Sequence, residues 1–198
     1  SCGLEFKAMA DYARDVGGKN LRKLTFHERA GLVKALAQAV MDKKEELYQL
    51  NFHTGATRKD GWIDIEGGAG TLFSMASKAK RELPNGYTLV DGAVEQISRE
   101  GTFLAQHVYT PLKGLAVHIN AFNFPCWGML EKIAPSLLAG VPVIVKPATV
   151  SCYLTEAMVR EIHQALADQA GHRMTDRTIL AVHRLVLEHC ATDGTIRA

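Results

Sequence analysis

Two polar side chains, Asn123 and Lys146, follow apolar segments at positions where they could bind a ligand or take part in catalysis. Asn123 comes shortly before Pro125, and Lys146 comes directly before Pro147. In a parallel sheet, the carboxyl ends of the strands form the crevice in which ligands bind. A carboxamide there can donate a hydrogen bond to a developing oxyanion, and a lysine can bind ribose hydroxyls or phosphate oxygens. The pattern therefore indicates a site for a nucleotide, an oxyanion or both.

Each of the two residues also has a purely structural explanation. An asparagine in a turn often satisfies nearby backbone groups, and a lysine at a strand end can extend its side chain into water. For Asn123 considered alone, the structural explanation would be the better one. Its combination with Lys146 in one strand–helix–strand segment favours the ligand site.

The elements that must position both residues form one βαβ unit. The sequence predicts an apolar strand that starts at Gly114, a helix over 126–138 that Gly140 ends, and a second strand over 141–145. We expect the crossover between the strands to be right-handed. The continuous apolar strands predict a parallel sheet that is buried on both faces.

The part of the chain before this unit is predicted to be mainly helical. A helix over 4–16 should end at Gly17–Gly18, since glycine is common just after a helix C-terminus. Thr25 and Glu28 have the spacing of a capping box, in which each side chain binds the backbone N–H of the other residue. A helix with apolar residues at helical spacing should follow and continue to about Phe52.

The glycine-rich segment 67–70 is predicted to lie in a further helix, where small residues allow close packing. It lacks the spacing of a phosphate-binding loop. A strand over 102–109 and a helix over 151–162 complete the surroundings of the βαβ unit, and 177–190 could form an amphipathic helix. The fold class is therefore α/β, with N-terminal helices followed by the first βαβ unit of a Rossmann-type parallel sheet.

Composition indicates a globular chain and argues against several classes of partner. Of the 198 residues, 47% are apolar and 22% are charged, as in ordinary soluble domains. A formal net charge of +2 gives no reason to expect nucleic acid or a membrane as partner. The apolar stretch 133–145 is too short to cross a bilayer, and no secretory signal is visible. Because the cysteines are scattered without a paired spacing, we expect a reduced, cytoplasmic setting.

The cysteines and histidines show no disulfide or metal pattern. No CxxC pair occurs among the cysteines, which are Cys2, Cys126, Cys152 and Cys190. Cys126 lies at a predicted helix N-terminus, where the helix dipole lowers the pKa of a thiol, but we interpret all four thiols as structural or incidental. The histidine spacings within 163–189 do not favour a metal site, so no metal is expected. Glu66 has no paired acidic residue in the sequence, so a surface or core-rim role is favoured.

The segments around Asn123 and Lys146 resemble the aldehyde dehydrogenase superfamily. In that family a Pro-Trp-Asn-Phe-Pro-type turn follows one strand and Lys-Pro-Ala ends the next, and here 121–125 reads Ala-Phe-Asn-Phe-Pro and 146–148 reads Lys-Pro-Ala. The resemblance implies that Asn123 stabilises the oxyanion and that Lys146 contacts the adenosine ribose of NADP or NAD. It assigns the cofactor groove to Ile119, Asn120, Ala121, Phe122, Lys146, Pro147, Ala148 and Thr149, with 119–122 acting mainly through backbone and packing contacts.

Finer features resemble one branch of the superfamily. The residues at 54–58, 64–68 and 119–132 are similar to the aldehyde dehydrogenase part of bifunctional phenylacetate-degradation enzymes, and to semialdehyde dehydrogenases of the benzoyl-CoA route. That branch implies a CoA-linked semialdehyde as the substrate. Many NAD-using members carry Glu directly after Lys-Pro-Ala, whereas this chain has Thr149. A carboxylate would repel a 2′-phosphate, so Thr149 permits NADP.

The resemblance covers residues 4–162 and implies an incomplete enzyme. The second half of the family's chain supplies a glycine motif under the pyrophosphate, a Glu general base and a Cys nucleophile, and none has a recognisable counterpart here. We therefore divide the chain into an incomplete cofactor-binding portion, 1–162, and a helical segment of unclear origin, 163–198. Little dehydrogenase activity is expected from this chain alone, because a thiohemiacetal requires a thiolate.

Two other interpretations stay open. The chain could be a non-catalytic module that binds nucleotide or pairs with a separate polypeptide, or it could be a truncated gene product without independent function. Saturable nucleotide binding without turnover would favour the module. The truncated product predicts an uncovered sheet edge and exposed apolar surface. We expect a homo-oligomer, with an aldehyde substrate only in a complete form.

Overall fold

The computed structural model describes residues 5–170, in which helices come first and two small sheets follow. The helices are α1 (Phe6–Tyr12), α2 (Gly18–Leu21), α3 (Phe26–Asp42), α4 (Lys44–Asn51), α5 (Arg58–Gly61), α6 (Gly67–Glu82), α7 (Trp127–Leu138) and α8 (Cys152–Ala170). The strands are β1 (Leu89–Gln96), β2 (Leu104–Tyr109), β3 (Ala116–Ile119) and β4 (Val143–Lys146). This order confirms the predicted α/β class.

The prediction that Gly17–Gly18 ends the N-terminal helix is wrong. A π-helical segment, Ala13–Gly17, joins α1 directly to α2, and both glycines keep right-handed helical angles. A Cβ atom on Gly18 would lie 3.3 Å from the ring of Pro142 and 2.8 Å from the guanidinium of Arg22. Gly18 therefore allows close packing against the segment that leads into β4, and it does not stop the helix.

A capping box begins α3, as predicted. The Thr25 hydroxyl accepts a hydrogen bond from the Glu28 N–H at 3.2 Å, and the Glu28 carboxylate accepts one from the Thr25 N–H at 2.7 Å. The helix predicted to continue to Phe52 is interrupted at Lys43, after which α4 and a 3₁₀ turn, Phe52–Thr54, follow. Most of the apolar residues predicted at helical spacing are buried, namely Leu32, Val33, Leu36, Val40 and Leu47, whereas the predicted Leu50 is half-buried.

The glycines at the start of α6 let α7 approach closely, which confirms their predicted role in helix packing. A Cβ atom on Gly67 would lie 3.0 Å from the ring of Trp127. One on Gly68 would lie 2.9 Å from the side chain of Leu130 and 3.0 Å from the Cα atom of Trp127. Helices α3, α6, α7 and α8 share one apolar core. That core fixes α7, and with it the two strands that α7 connects.

Strands β1 and β2 form an antiparallel hairpin that the sequence predicts only in part. β2 lies within the predicted strand 102–109, whereas β1 has no counterpart in the prediction. Gly92, with a φ of +71°, and a register shift between Asp91 and Glu95 interrupt the regular alternation that marks a strand. Apart from half-buried Leu89, every residue of both strands is exposed.

Strands β3 and β4 pair in parallel and are joined by α7, which confirms the predicted βαβ unit. Gly140 follows α7 at a φ of +77°, as expected for a left-handed helix stop. The prediction that both faces of the sheet are buried is wrong for β3, since Val117 and Ile119 are 59% and 73% exposed. These two residues share one face of the strand, and α7 packs against the pair of strands from the other.

Helix α8 follows a 3₁₀ turn, Thr149–Ser151, and continues to Ala170, beyond the predicted limit of 162. The helix predicted over 177–190 concerns residues outside the described range. Within that range, no helix is both long and apolar enough to cross a membrane.

Candidate functional site

Residues 120–125, here called the site turn, lie beside the end of β4 at the carboxyl edge of the parallel strands. The Asn120 N–H donates to the Lys146 carbonyl at 3.0 Å, which extends the register that pairs Ile119 with Lys146. The structure therefore brings the turn that carries Asn123 and the strand end that carries Lys146 to one edge. This is the edge at which parallel sheets hold their ligands.

The side chains predicted to bind the cofactor or the oxyanion fall into two groups by burial. The exposed group consists of Ile119, Ala121, Phe122, Asn123, Lys146 and Thr149. The covered group consists of Asn120 and Pro147, which are buried, and Ala148, which is half-buried. The exposed group forms a surface that a ligand can reach from solvent.

The carboxamide of Asn123 is not used by the turn that carries it. It makes no hydrogen bond with any other described residue. The site turn is instead continued into α7 by backbone bonding, with the Gly128 N–H donating to the Phe124 carbonyl at 2.9 Å. The structural explanation of Asn123, in which its side chain satisfies turn backbone groups, therefore has no support in this geometry.

Lys146 places an unneutralised cation at the same edge. Among residues 119–124 and 146–151 it is the only charged residue. Its ammonium forms no ion pair with any other described residue. An exposed cation beside amide and hydroxyl groups suits a ligand that carries hydroxyls and phosphates, and no carboxylate in these segments would repel a phosphate.

The side chain of Asn120 is buried in the site turn, and both of its polar atoms lack a partner among the described residues. It is only 6% exposed, and the two atoms are Oδ1 and Nδ2. The hydroxyl of Ser151, in the turn after β4, is also buried and has no described partner. Buried polar groups in native proteins are normally completed by water or a ligand. The Asn120 carboxamide and the Ser151 hydroxyl could therefore still form hydrogen bonds with water or with a ligand at this edge.

A carboxylate from the N-terminal helices holds the first turn of α7. Asp64 accepts hydrogen bonds from the N–H groups of Cys126 at 3.2 Å and Trp127 at 2.8 Å. Burial raises the pKa of Asp64, and these two bonds oppose that shift. This role of Asp64 is not predictable from a local motif, because 62 positions separate Asp64 from Cys126 in the sequence. The one available signal is an acidic residue between Ile63 and Ile65.

Cys126 is not a reactive thiol in this structure. It is fully buried, and burial, together with the charge of Asp64, raises the pKa of the thiol well above its ordinary value. Because the thiolate is the nucleophile, the helix dipole of α7 does not make Cys126 reactive here. Cys152 is half-buried, and Cys2 and Cys190 lie outside the described residues.

Glu66 belongs to a structural network and not to the candidate site. It accepts hydrogen bonds from the Tyr48 hydroxyl at 2.5 Å and the Lys44 ammonium at 3.0 Å, and the bond from Tyr48 contributes most to lowering its pKa. Burial and the same bond raise the pKa of Tyr48. The predicted core-rim role of Glu66 is consistent with these contacts. Within the described part of the chain, no cluster of three His, Cys, Asp or Glu residues could hold a metal ion.

Comparison with known proteins defines the class. A family model, described as the aldehyde dehydrogenase family, matches residues 4–172, and this chain belongs to that family. A 3,4-dehydroadipyl-CoA semialdehyde dehydrogenase from Aromatoleum evansii is 40% identical over 166 residues, which make up 83% of this chain and 32% of that protein. The chain therefore spans about a third of the length of this curated relative.

Solved structures give the same fold. The crystal structure of a putative aldehyde dehydrogenase from Burkholderia cenocepacia superposes with a TM-score of 0.68 at 24% identity, over 80% of this chain and 30% of that one. A glyceraldehyde-3-phosphate dehydrogenase from Methanocaldococcus jannaschii, complexed with NADP, gives 0.65 at 21% identity, over 88% of this chain and 35% of that one. At these identities the likeness shows the fold alone.

Proposed function

We propose that this chain carries the oxyanion-stabilising asparagine and part of the nucleotide groove of an NADP- or NAD-dependent aldehyde dehydrogenase. The observation that carries the proposal is the parallel pairing of Ile119 with Lys146, because it brings Asn123 and Lys146 to one open edge. Membership of the family supplies the reaction class, which is oxidation of an aldehyde to an acid. The nucleotide, when bound, accepts the hydride.

Each residue of the edge has a defined part in this proposal. The free carboxamide of Asn123 donates a hydrogen bond to the oxyanion, without acting as a base. The ammonium of Lys146 binds the adenosine ribose hydroxyls. The exposed residues Ile119, Ala121 and Phe122 line the groove, and Pro147 and Ala148 lead the chain away from β4. Exposed Thr149 leaves room for a 2′-phosphate, so we propose that NADP binds more tightly than NAD.

The proposed substrate is a CoA-linked semialdehyde formed during degradation of an aromatic compound, as in the phenylacetate route. Its support is the 40% identity to a protein described as a 3,4-dehydroadipyl-CoA semialdehyde dehydrogenase. A full-length form that contains this chain should therefore oxidise such a CoA-linked semialdehyde faster than the free semialdehyde acid. Equal rates for the two would contradict the proposed substrate class.

Nucleotide binding is tested by calorimetric titration of the folded chain with NADP and with NAD. Lys146→Ala should weaken NADP binding by about tenfold, because a charge-assisted hydrogen bond to the ribose is lost. Lys113→Ala is the matched control, because Lys113 is also an exposed lysine and precedes β3 at the opposite end of that strand. Equal losses in the two variants, or no binding by folded wild-type chain, would contradict the proposal. Equal affinity for NADP and NAD would contradict only the role of Thr149.

A second candidate function is a module that pairs with another chain. Exposed apolar surface, which the truncated product also predicts, is compatible with this function. Val117 and Ile119 leave one face of β3 uncovered. The hairpin exposes further large apolar side chains, namely Val90, Val94, Leu104, Val108 and Tyr109. Such surface favours association, and we propose a homo-oligomer in which a second copy covers it. Light scattering that shows a monomer at micromolar concentration would contradict the homo-oligomer.

A further inference from the structure

Two backbone N–H groups converge on the carboxylate of Asp64. They belong to Cys126 and Trp127, at the start of α7. Asp64 is only 2% exposed. These donors are among the first N–H groups of α7, which have no partner within the helix itself. The N-terminus of α7 is therefore filled from inside the protein, and no external anion is needed there.

The site turn is joined directly to the donors that Asp64 holds. Pro125 is buried and lies between Asn123 and the first of these donors, Cys126. The rings of Phe124 and Trp127 meet edge to face, with their centroids 6.3 Å apart. A displacement of the first turn of α7 would therefore be transmitted to the carboxamide of Asn123.

The segment that carries Asp64 is itself fixed against α7. Gly67 and Gly68 follow Asp64 on the same helical stretch, and Cβ atoms on them would approach Trp127 to 3.0 Å. The site turn has a second polar contact, from the Thr155 hydroxyl to the Pro125 carbonyl, but at 3.5 Å it is long. The shorter, charge-assisted bonds to Asp64 are therefore the stronger constraint on the turn.

We propose that Asp64 is a positioning residue that holds the site turn, and with it the Asn123 carboxamide, in the geometry that the candidate site requires. The inference rests on the proposed nucleotide and oxyanion site. Asp64 touches neither the nucleotide nor the substrate in this proposal. It acts through the first turn of α7.

Two variants and one control separate positioning from general stability. Asp64→Ala removes every acceptor, whereas Asp64→Asn keeps the shape and one acceptor oxygen. The control is Asp60→Ala, because Asp60 closes a capping box with Thr57 and its side chain bonds to no residue of α7. Hydrogen exchange of the Cys126 and Trp127 amides is measured by NMR relative to amides in the core of α3. NADP affinity is measured in parallel on the folded proteins.

Asp64→Ala should speed exchange of the two amides by about tenfold or more relative to α3 and weaken NADP binding to a similar extent. Asp64→Asn should restore most of the affinity and speed exchange of one amide by roughly threefold. Asp60→Ala should leave both readouts at the wild-type level after correction for stability. Unchanged relative exchange in Asp64→Asn would overturn the proposal, even if Asp64→Ala does not fold. Wild-type affinity in folded Asp64→Ala would also overturn it.

The failure of this inference can be distinguished from failure of the proposed function. Absence of NADP binding by the wild-type chain would remove the proposed nucleotide site. The exchange measurement would still decide whether Asp64 holds the site turn, because it needs no ligand.

Discussion

The first turns of α3 and α7 are both closed by a carboxylate, but the two carboxylates come from different distances. In α3 the carboxylate of Glu28 lies within the helix that it caps, and it bonds back to Thr25 at the surface. In α7 the carboxylate of Asp64 comes from a helix 62 positions earlier and is buried. The cap of α3 stabilises one helix, whereas the cap of α7 connects the helical part of the fold to the site turn.

Because of this difference, a mutation that removes the cap of α3 should affect only that helix end, whereas one that removes the cap of α7 should also affect the site turn. Loss of a surface cap frees backbone groups that water can bind, so the cost is limited. Loss of a buried cap leaves N–H groups that water does not reach, and the full desolvation cost then applies. It also releases the turn that carries Asn123.

The largest effect is expected from Asp64→Ala. Two N–H groups lose their acceptor, one in a buried bond and one in a partly buried bond, which should lower the free energy of unfolding by about 2 to 4 kcal/mol. Urea denaturation followed by circular dichroism measures this loss. A loss below that of a surface cap would show that water or a neighbouring group replaces the carboxylate.

A smaller effect is expected from Thr25→Ala at the N-terminus of α3. Removal of an N-cap hydroxyl should cost about 1 kcal/mol, because only one helix end is affected. The same denaturation experiment measures it, and NADP affinity should stay unchanged. A change in NADP affinity would show that the two helix N-termini are coupled.

The smallest effect concerns pH and depends on the raised pKa of Asp64. Because burial raises this pKa above the ordinary 3.8, the native chain binds the proton more readily than the unfolded chain. The resulting stabilisation is fully present below the unfolded pKa and is lost as pH rises through the folded pKa. The stability difference between wild type and Asp64→Asn should therefore shift in favour of wild type as pH falls from neutral towards the unfolded pKa.

Denaturation of both proteins across this pH range checks the prediction. The pKa of Glu66 is lowered, so its contribution to the stability of the fold is lost as pH falls. Glu66 is present in both proteins, and its contribution therefore cancels in the difference. A stability difference that is independent of pH would show that Asp64 does not titrate in this range.

The sequence predicts well those features that depend on neighbouring residues. The capping box of Thr25 and Glu28, the stop at Gly140 and the βαβ order around α7 are all confirmed, because each follows from short-range backbone chemistry. The meeting of the site turn with Lys146 is also predictable, since parallel strands bring their carboxyl ends to one edge. The chemical roles assigned to Asn123 and Lys146 stay predictions.

Features that depend on distant contacts are not predictable in this way. Gly18 has the local signature of a helix stop, yet it is needed for the approach of Pro142. Strand β1 lacks a clear alternation because a positive φ at Gly92 and a register shift interrupt it. For Asp64 the sequence shows only an acidic residue between Ile63 and Ile65, which does not identify its partners, because they lie at the start of another helix.

Trp127 gives the site turn an optical reporter. Its indole is half-buried between Gly67 and Phe124, whereas Trp62, the only other tryptophan in the chain, is 54% exposed. A Trp62→Phe background therefore leaves one fluorophore, positioned beside the site turn. Its emission wavelength and quenching would report nucleotide binding, or packing of the site turn during refolding, in real time and without an added label.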